Sequence, residues 1–180
     1  APYYEPEGVS PAPAAASLRA DLDNLYNQAR HEAAWLTVNG KPVLFVYNTG
    51  TQAACAAVVR MKAASAGRFY LDMKVFANYA SCASQPDSWH QYDPAVAYDR
   101  QGAYAVTVSP GFYKFSETRP RLLRDLATFK LNVARCDASA TKWHLITTFN
   151  EWGEGTSVEP ASQWRSASGF GVYLDALHAN

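Results

Sequence analysis

The sequence predicts an α/β fold with a parallel sheet, and three observations carry that prediction. Strand-like runs alternate with helix-like runs along the chain. The run at 43–47 is apolar throughout, as in a strand buried on both faces, and the run at 143–149 reads as a buried strand. The strand candidates end in polar or aromatic residues followed by Gly, Pro or Asn, the composition expected at the C-terminal mouth of a (β/α) barrel.

The elements follow in order. Residues 2–8 read as a strand end running into a loop, and Ser10-Pro11-Ala12-Pro13 as a linker within the domain. Ser17 is a suitable N-cap for a helix to about residue 33, with Leu18, Leu22, Leu25, Tyr26 and Ala29 at helical spacing. Two short runs, 36–38 and 43–47, flank Asn39-Gly40, a strong hairpin signal. A helix over 53–66 stops near Gly67, and 69–76 is a strand. Residues 77–100 hold Pro86 and Pro94 and read as a long irregular stretch rich in aromatics. A strand at 104–108 is broken by Ser109-Pro110-Gly111. The spacing then predicts a helix over 120–136 with Pro120 near its first turn, a strand at 143–149 and a short helix over 170–179.

Five parallel strands are thus predicted, ending near Glu5, Tyr47, Phe76, Val108 and Phe149. Five cannot close an eight-stranded barrel, so the residues alone leave two architectures open: an incomplete barrel or an open α/β sheet. Without low-complexity regions, charge blocks or internal linkers, residues 1–180 read as a single domain.

Composition narrows the function. The chain has 180 residues, 48% of them hydrophobic, enough for a sizeable core. Lys+Arg and Asp+Glu both number 16, so the formal net charge is zero. A neutral chain without a basic stripe argues against nucleic acid as a partner. It gives no reason to invoke an anionic membrane either, and no run approaches the roughly 18 apolar residues of a membrane span. There is no signal-peptide pattern in the chain, which leaves localisation open because a mature chain has lost it. Five Trp, eleven Tyr and eight Phe supply aromatic faces of the kind sugars stack on. The three cysteines, Cys55, Cys82 and Cys136, form no CxxC pair, and no metal or other cofactor is expected. Cys55 and Cys82 are candidates for one disulfide, the alternative being buried free thiols.

The chemistry concentrates at Asn150-Glu151-Trp152-Gly153-Glu154-Gly155, directly after the apolar run at 143–149. Placing two carboxylates at the mouth of a buried strand is costly, and catalysis is the usual reason for it. Two carboxylates beside an aromatic suit acid/base chemistry on a glycosidic bond. A solvated turn with a helix-capping carboxylate is the plainer competitor. Asn150 is placed to bind a sugar hydroxyl or orient Glu151, and Trp152 to contact substrate. Trp89, His90 and Tyr92, on the long loop, are candidate sugar-platform residues, with packing of that loop as their alternative. Asp72 and Lys74 share one strand face and read as a paired charge with a structural role. His144 reads as a satisfied core histidine.

The run Thr148-Phe149-Asn150-Glu151-Trp152-Gly153-Glu154-Gly155-Thr156, continuing to Val158-Glu159-Pro160, resembles the signature of glycoside hydrolase family 99. These are the endo-α-mannosidases and their bacterial relatives, (β/α)8 barrels. Glu5-Pro6 is similar to the Glu-Pro that ends the family's fourth strand, and the run from Gly40 to Tyr47 to its fifth-strand hairpin. Val108-Ser109-Pro110-Gly111-Phe112 resembles its seventh-strand turn. The resemblance implies a partial (β/α)8 TIM-type barrel of about strands four to eight, with the missing N-terminal strands in the same polypeptide or a partner chain.

It also implies roles. Glu154 matches the general acid/base. Glu151 matches the base acting on the sugar's own 2-hydroxyl, which attacks the anomeric carbon with net retention. Glu5 matches a substrate-binding carboxylate, and Tyr47 and Tyr113 stand at strand ends as substrate-contacting aromatics. Two positions depart from the pattern: Gly153 where the family has His, and Phe112 where it has Tyr, with Tyr113 next door. The expected activity is a retaining, endo-acting hydrolase of an α-linked polysaccharide or glycan, secreted or extracellular. The alternatives are a carbohydrate-binding barrel without catalysis and a domain of polysaccharide synthesis, because a similar Asn-Glu-Trp-x-Glu-Gly string occurs in WbsX-type domains.

Overall fold

In the computed structural model the described residues are 2–4, 15–47 and 54–179, with side chains from residue 16 onward. The chain packs as two compact units, Ala1–Trp89 and His90–Asn180. Both mix helices and strands, so the α/β expectation holds at that level.

The first unit is built on β1 (Pro2–Tyr4), β2 (Thr37–Val38), β3 (Lys41–Tyr47), β4 (Tyr70–Lys74) and β5 (Ser88–His90). The sheet order is β1-β3-β4-β5, with β2 added to β3. β1 and β4 both run parallel to β3, in the registers Pro2↔Phe45 and Val43↔Tyr70. Helices α1 (Ala15–Ala29) and α2 (Cys55–Ser65) supply the connections expected between parallel strands. Leu18 and Leu22 of α1 and Val58 and Met61 of α2 are buried with Leu44, Val46, Leu71 and Met73 of the sheet.

Asn39 and Gly40 both take positive φ, 52° and 74°, so the two-residue hairpin forms where the dipeptide predicts it. It lays β2 antiparallel on β3, with Val38 opposite Lys41. Helix α2 stops one residue before the expected glycine. Ala66 takes the left-handed conformation at φ 50° and its N–H reaches Lys62 O. Cys55, the first residue of α2, is disulfide-bonded to Cys82 with Cα atoms 5.4 Å apart.

The stretch at 77–100 is more ordered than its sequence suggests. It holds the short helical turn Tyr79–Ser81, then β5, then β6 (Tyr98–Gln101). This corrects the reading of Trp89 as a sugar platform. Trp89 is 1% exposed and its ring packs against Phe76 and Tyr79. Its indole N–H donates to Gln85 Oε1 at 2.8 Å, so both the apolar body and the polar tip are satisfied inside the fold. His90 is likewise buried, which removes it from any open platform.

In the second unit β6 and β7 (Ala105–Val108) form an antiparallel hairpin, and β8 (Trp143–Ile146) runs parallel to β7. All four residues of β7 are buried. Its partner β6, Tyr98-Asp99-Arg100-Gln101, is half-exposed and polar, which is why no strand is legible there. Helices α3 (Leu126–Asp137) and α4 (Val172–His178) cover the sheet through Phe129, Val133, Tyr173 and Ala176.

Two further expectations change here. Helix α3 begins at Leu126 rather than near 120, because Asp125 is its N-cap and accepts from Thr128 N at 2.7 Å. Residues before it form a return arm, with Phe112 bridged to Leu122. β8 ends at Ile146 and is only partly buried, since among the described residues it is an edge of its sheet. His144 is therefore exposed rather than a core histidine. Among the described residues no helix is long and apolar enough to cross a membrane.

Candidate active site

Parallel pairing of β7 and β8, with Val108 opposite Ile146, sends the two following loops out at the same end of the sheet. The second of these carries both glutamates. It folds back on itself through Thr148, whose N–H donates to Thr156 O at 3.2 Å and whose carbonyl accepts from Val158 N at 3.1 Å. The two threonine hydroxyls meet at 2.8 Å, and Thr148 Oγ1 also accepts from Glu151 N at 3.0 Å. The backbone polar groups of a tight loop are thereby paired locally, which fixes where the Trp152–Glu154 turn stands.

The first loop locks against that turn. Tyr113 N donates to Glu154 O at 2.8 Å, and Phe115 N to Gly153 O at 3.1 Å. The approach requires glycine at 155, which takes φ 64°, and a Cβ there would lie 2.8 Å from Tyr113 O. Below the loop, Arg124 donates to the carbonyls of Gly155 and Ser157, both at 2.8 Å. Its guanidinium lies 4.6 Å from the ring centres of both Trp164 and Tyr173. Burial pulls the Arg124 pKa down and Tyr173 opposes the shift, yet arginine stays charged under these conditions.

Glu154 is part-buried and held on both oxygens. Tyr92 Oη donates to Oε2 at 2.6 Å, and Lys114 Nζ lies 3.5 Å from Oε1. Glu151 is exposed and leans over its neighbour, with Oε1 only 3.1 Å from where a Cβ on Gly153 would be. Trp152 is 47% exposed, and its ring stacks on Trp164 at 5.5 Å and 9°. Its indole N–H donates to Glu159 Oε2 at 2.7 Å, which fixes the ring plane while one face stays open. Asn150 is exposed on the same loop, and Tyr113 is 47% exposed on the facing one. A carboxylate gripped by a phenol and an ammonium, a second carboxylate open to solvent and a pinned indole can hold a sugar ring and move protons beside it.

The other sequence candidates fall elsewhere. Tyr47 ends β3 in the first unit, where Lys74 Nζ sits 5.0 Å over its ring. Asp72 is wholly buried in β4, opposite Phe45. Glu5 lies outside the described residues. Sequence reasoning missed Lys114 and Arg124 as site builders. Lys114 follows Tyr113 directly, so the Pro-Gly turn was the available signal, whereas Arg124 reads only as the residue before a helix cap.

Two cavities of this unit, of about 370 and 450 Å³, include Pro160 and Arg165 in one lining and Pro110 and Phe129 in the other. Neither is lined by Glu151 or Glu154.

Comparison with solved structures decides what this frame is. The GH99 endo-alpha-mannosidase from Bacteroides thetaiotaomicron matches with a TM-score of 0.68 over 98% of this chain, at 15% identity. The fold is GH99-like. The same endo-alpha-mannosidase in complex with BIS-TRIS-propane matches equally, at TM-score 0.68 and 15% identity. A glycoside hydrolase-like protein matches with a TM-score of 0.64 over 93% of this chain, at 16% identity. The chain spans 62%, 67% and 61% of those three chains respectively. No family model matches the chain, and no curated protein matches it either. A GH99-like fold in a chain this divergent leaves its chemistry to be argued from its own residues.

Proposed function

We propose that this chain carries the catalytic end of an endo-acting, retaining glycoside hydrolase that cleaves an α-linked polysaccharide or glycan. The observation that carries the reading is the grip of Tyr92 and Lys114 on Glu154, three residues after the exposed Glu151, at the strand end of a GH99-like fold. In this reading Glu154 donates a proton to the departing glycosidic oxygen and afterwards takes one from water. Glu151 draws the proton from the sugar's 2-hydroxyl, whose oxygen attacks the anomeric carbon. Trp152, Tyr113 and Asn150 bind and orient the sugar.

The chain would supply about strands four to eight of a (β/α)8 barrel, and the 61–67% of the neighbours' length that it spans fits that share. The Cys55–Cys82 disulfide supports an oxidising, extracellular setting.

The test is release of oligosaccharides from α-mannan, α-glucan and α-arabinan by the native-length protein and its Glu154→Gln variant. Release by the first and not the second supports the reading. Glycan binding without release by either protein turns the choice to a carbohydrate-binding barrel, which Gly153 in place of the family's histidine would favour. Turnover that needs a sugar donor turns it to polysaccharide synthesis.

A further inference from the structure

We propose that Cys136, Asp137 and His144 form a binding site for a borderline-soft divalent cation, of which Zn²⁺ is the best match. Cys136 and Asp137 end α3, and His144 stands on the neighbouring strand β8. Their Sγ, carboxylate and imidazole ligand atoms all lie within 4.8 Å of one another. The His144 Nδ1 to Asp137 Oδ1 separation, 3.7 Å, is close to the edge of a tetrahedral coordination sphere. One sulfur, one nitrogen and one oxygen ligand suit Zn²⁺ and leave its fourth position for water. Hard cations such as Mg²⁺ and Ca²⁺ demand more oxygen ligands than the cluster has.

The second observation is the imidazole's orientation. His144 Nε2 meets Ser139 Oγ at 3.1 Å, and that hydroxyl meets Thr141 Oγ1 at 2.7 Å. A hydrogen bond on the far nitrogen fixes the ring with Nδ1 turned to Asp137, the outer-shell arrangement that orients metal-binding histidines. The expectation of no metal rested on sequence spacing, whereas Cys136 and His144, eight residues apart, meet only because a turn brings the end of α3 back to β8.

The sulfur must give up its proton when the ion binds. Binding therefore releases the Cys136 thiol proton and strengthens as pH rises. Occupancy would tie the end of α3 to the strand that leads into the Glu151–Glu154 loop. The proposal does not depend on the glycosidase reading.

Co²⁺ and Zn²⁺ alone are the probes. The chain has three cysteines and two are in the disulfide, so a thiolate-to-cobalt charge-transfer band can come only from Cys136. Expected are one Co²⁺ per chain with that band, its displacement by Zn²⁺, and release of a proton on binding. Zn²⁺ should raise Tm reversibly, with EDTA restoring the lower value. Cys136→Ser should abolish the band. Because Cys136 is buried, His144→Ala on the exposed strand face is the second variant, and it should weaken Co²⁺ binding at least a hundredfold while Tm without metal is kept. Absence of the band in the wild type, or a band of equal affinity in His144→Ala, overturns the proposal.

Discussion

Tyr92 donates its phenol hydrogen to Glu154 Oε2 at 2.6 Å, across 62 residues of sequence. With Lys114 on the other oxygen, this contact sets the rotamer of the one glutamate that the turn leaves part-buried. Removing the hydroxyl leaves the carboxylate in place but free to swing. Tyr92→Phe is expected to lower kcat/KM by on the order of ten- to a hundredfold, mostly in kcat. The folded state should lose only about 1–2 kcal/mol, since one charge-assisted hydrogen bond is gone and solvent can replace it. Steady-state kinetics and urea denaturation of the variant check both halves.

Gly155 is the hinge on which the two loops meet. Adding one methyl group there places it 2.8 Å from Tyr113 O in a backbone conformation that side chains rarely adopt. Gly155→Ala is expected to destabilise the protein by about 2 kcal/mol and to lower activity beyond that loss. Equilibrium unfolding gives the first number. Activity measured well below the transition isolates the second.

Arg124 supports the loop in a way lysine cannot reproduce. Its guanidinium lies over the rings of Trp164 and Tyr173 and donates through one nitrogen to two carbonyls. A lysine ammonium has the charge but not the planar face. Arg124→Lys is expected to cost about 2–3 kcal/mol, and Arg124→Ala more, because two part-buried carbonyls then lack a donor. Thermal denaturation of both variants tests the ranking.

Acid sensitivity should report helix caps in the second unit. Hydrogen bonds from Thr128 hold the Asp125 carboxyl below its ordinary 3.8. Ser168 and Ser166 do the same for Asp175 in the first turn of α4. Groups with depressed folded pKa values contribute stability that is present above the unfolded value and lost as pH falls through the folded one. Tm is therefore expected to be flat above pH about 5 and to fall below about 4. In Asp125→Ala with Asp175→Ala, Tm should start lower at neutral pH and fall less on acidification. Calorimetry across that pH range decides it.

The legible parts of the molecule were those with local signals. Asn39-Gly40 specified its hairpin because only residues tolerant of positive φ close a two-residue turn. Leu18, Leu22 and Ala29 marked the buried face of α1 because helical spacing and burial coincide. Trp89 misled because aromatic residues between prolines look like a loop, whereas β5 is specified by the sheet it joins. The start of α3 was misplaced because Pro120 is as suitable in a turn as in a first helical turn, and Asp125 holds the actual cap. The glutamate pair was readable from Asn150 to Gly155 alone. Its supports were not, since Tyr92, Lys114 and Arg124 reach the loop only after the unit has folded.

Gly153 offers a chemical probe of the same loop. Its missing side chain leaves room for Glu151 Oε1, 3.1 Å from the empty Cβ position. Gly153→His is expected to push the Glu151 carboxylate aside, so activity changes while Tm moves by less than about 1 kcal/mol equivalent, as for an exposed site. Product analysis alongside Tm separates the two effects.

The central claim is that Glu154 performs chemistry on a glycan. Its most direct test is oligosaccharide release from α-mannan, α-glucan and α-arabinan by the native-length protein beside Glu154→Gln, with glycan binding measured for both. The account predicts release by the first, none by the second, and binding by both. Equal release by the two proteins, or binding without release by either, would contradict it.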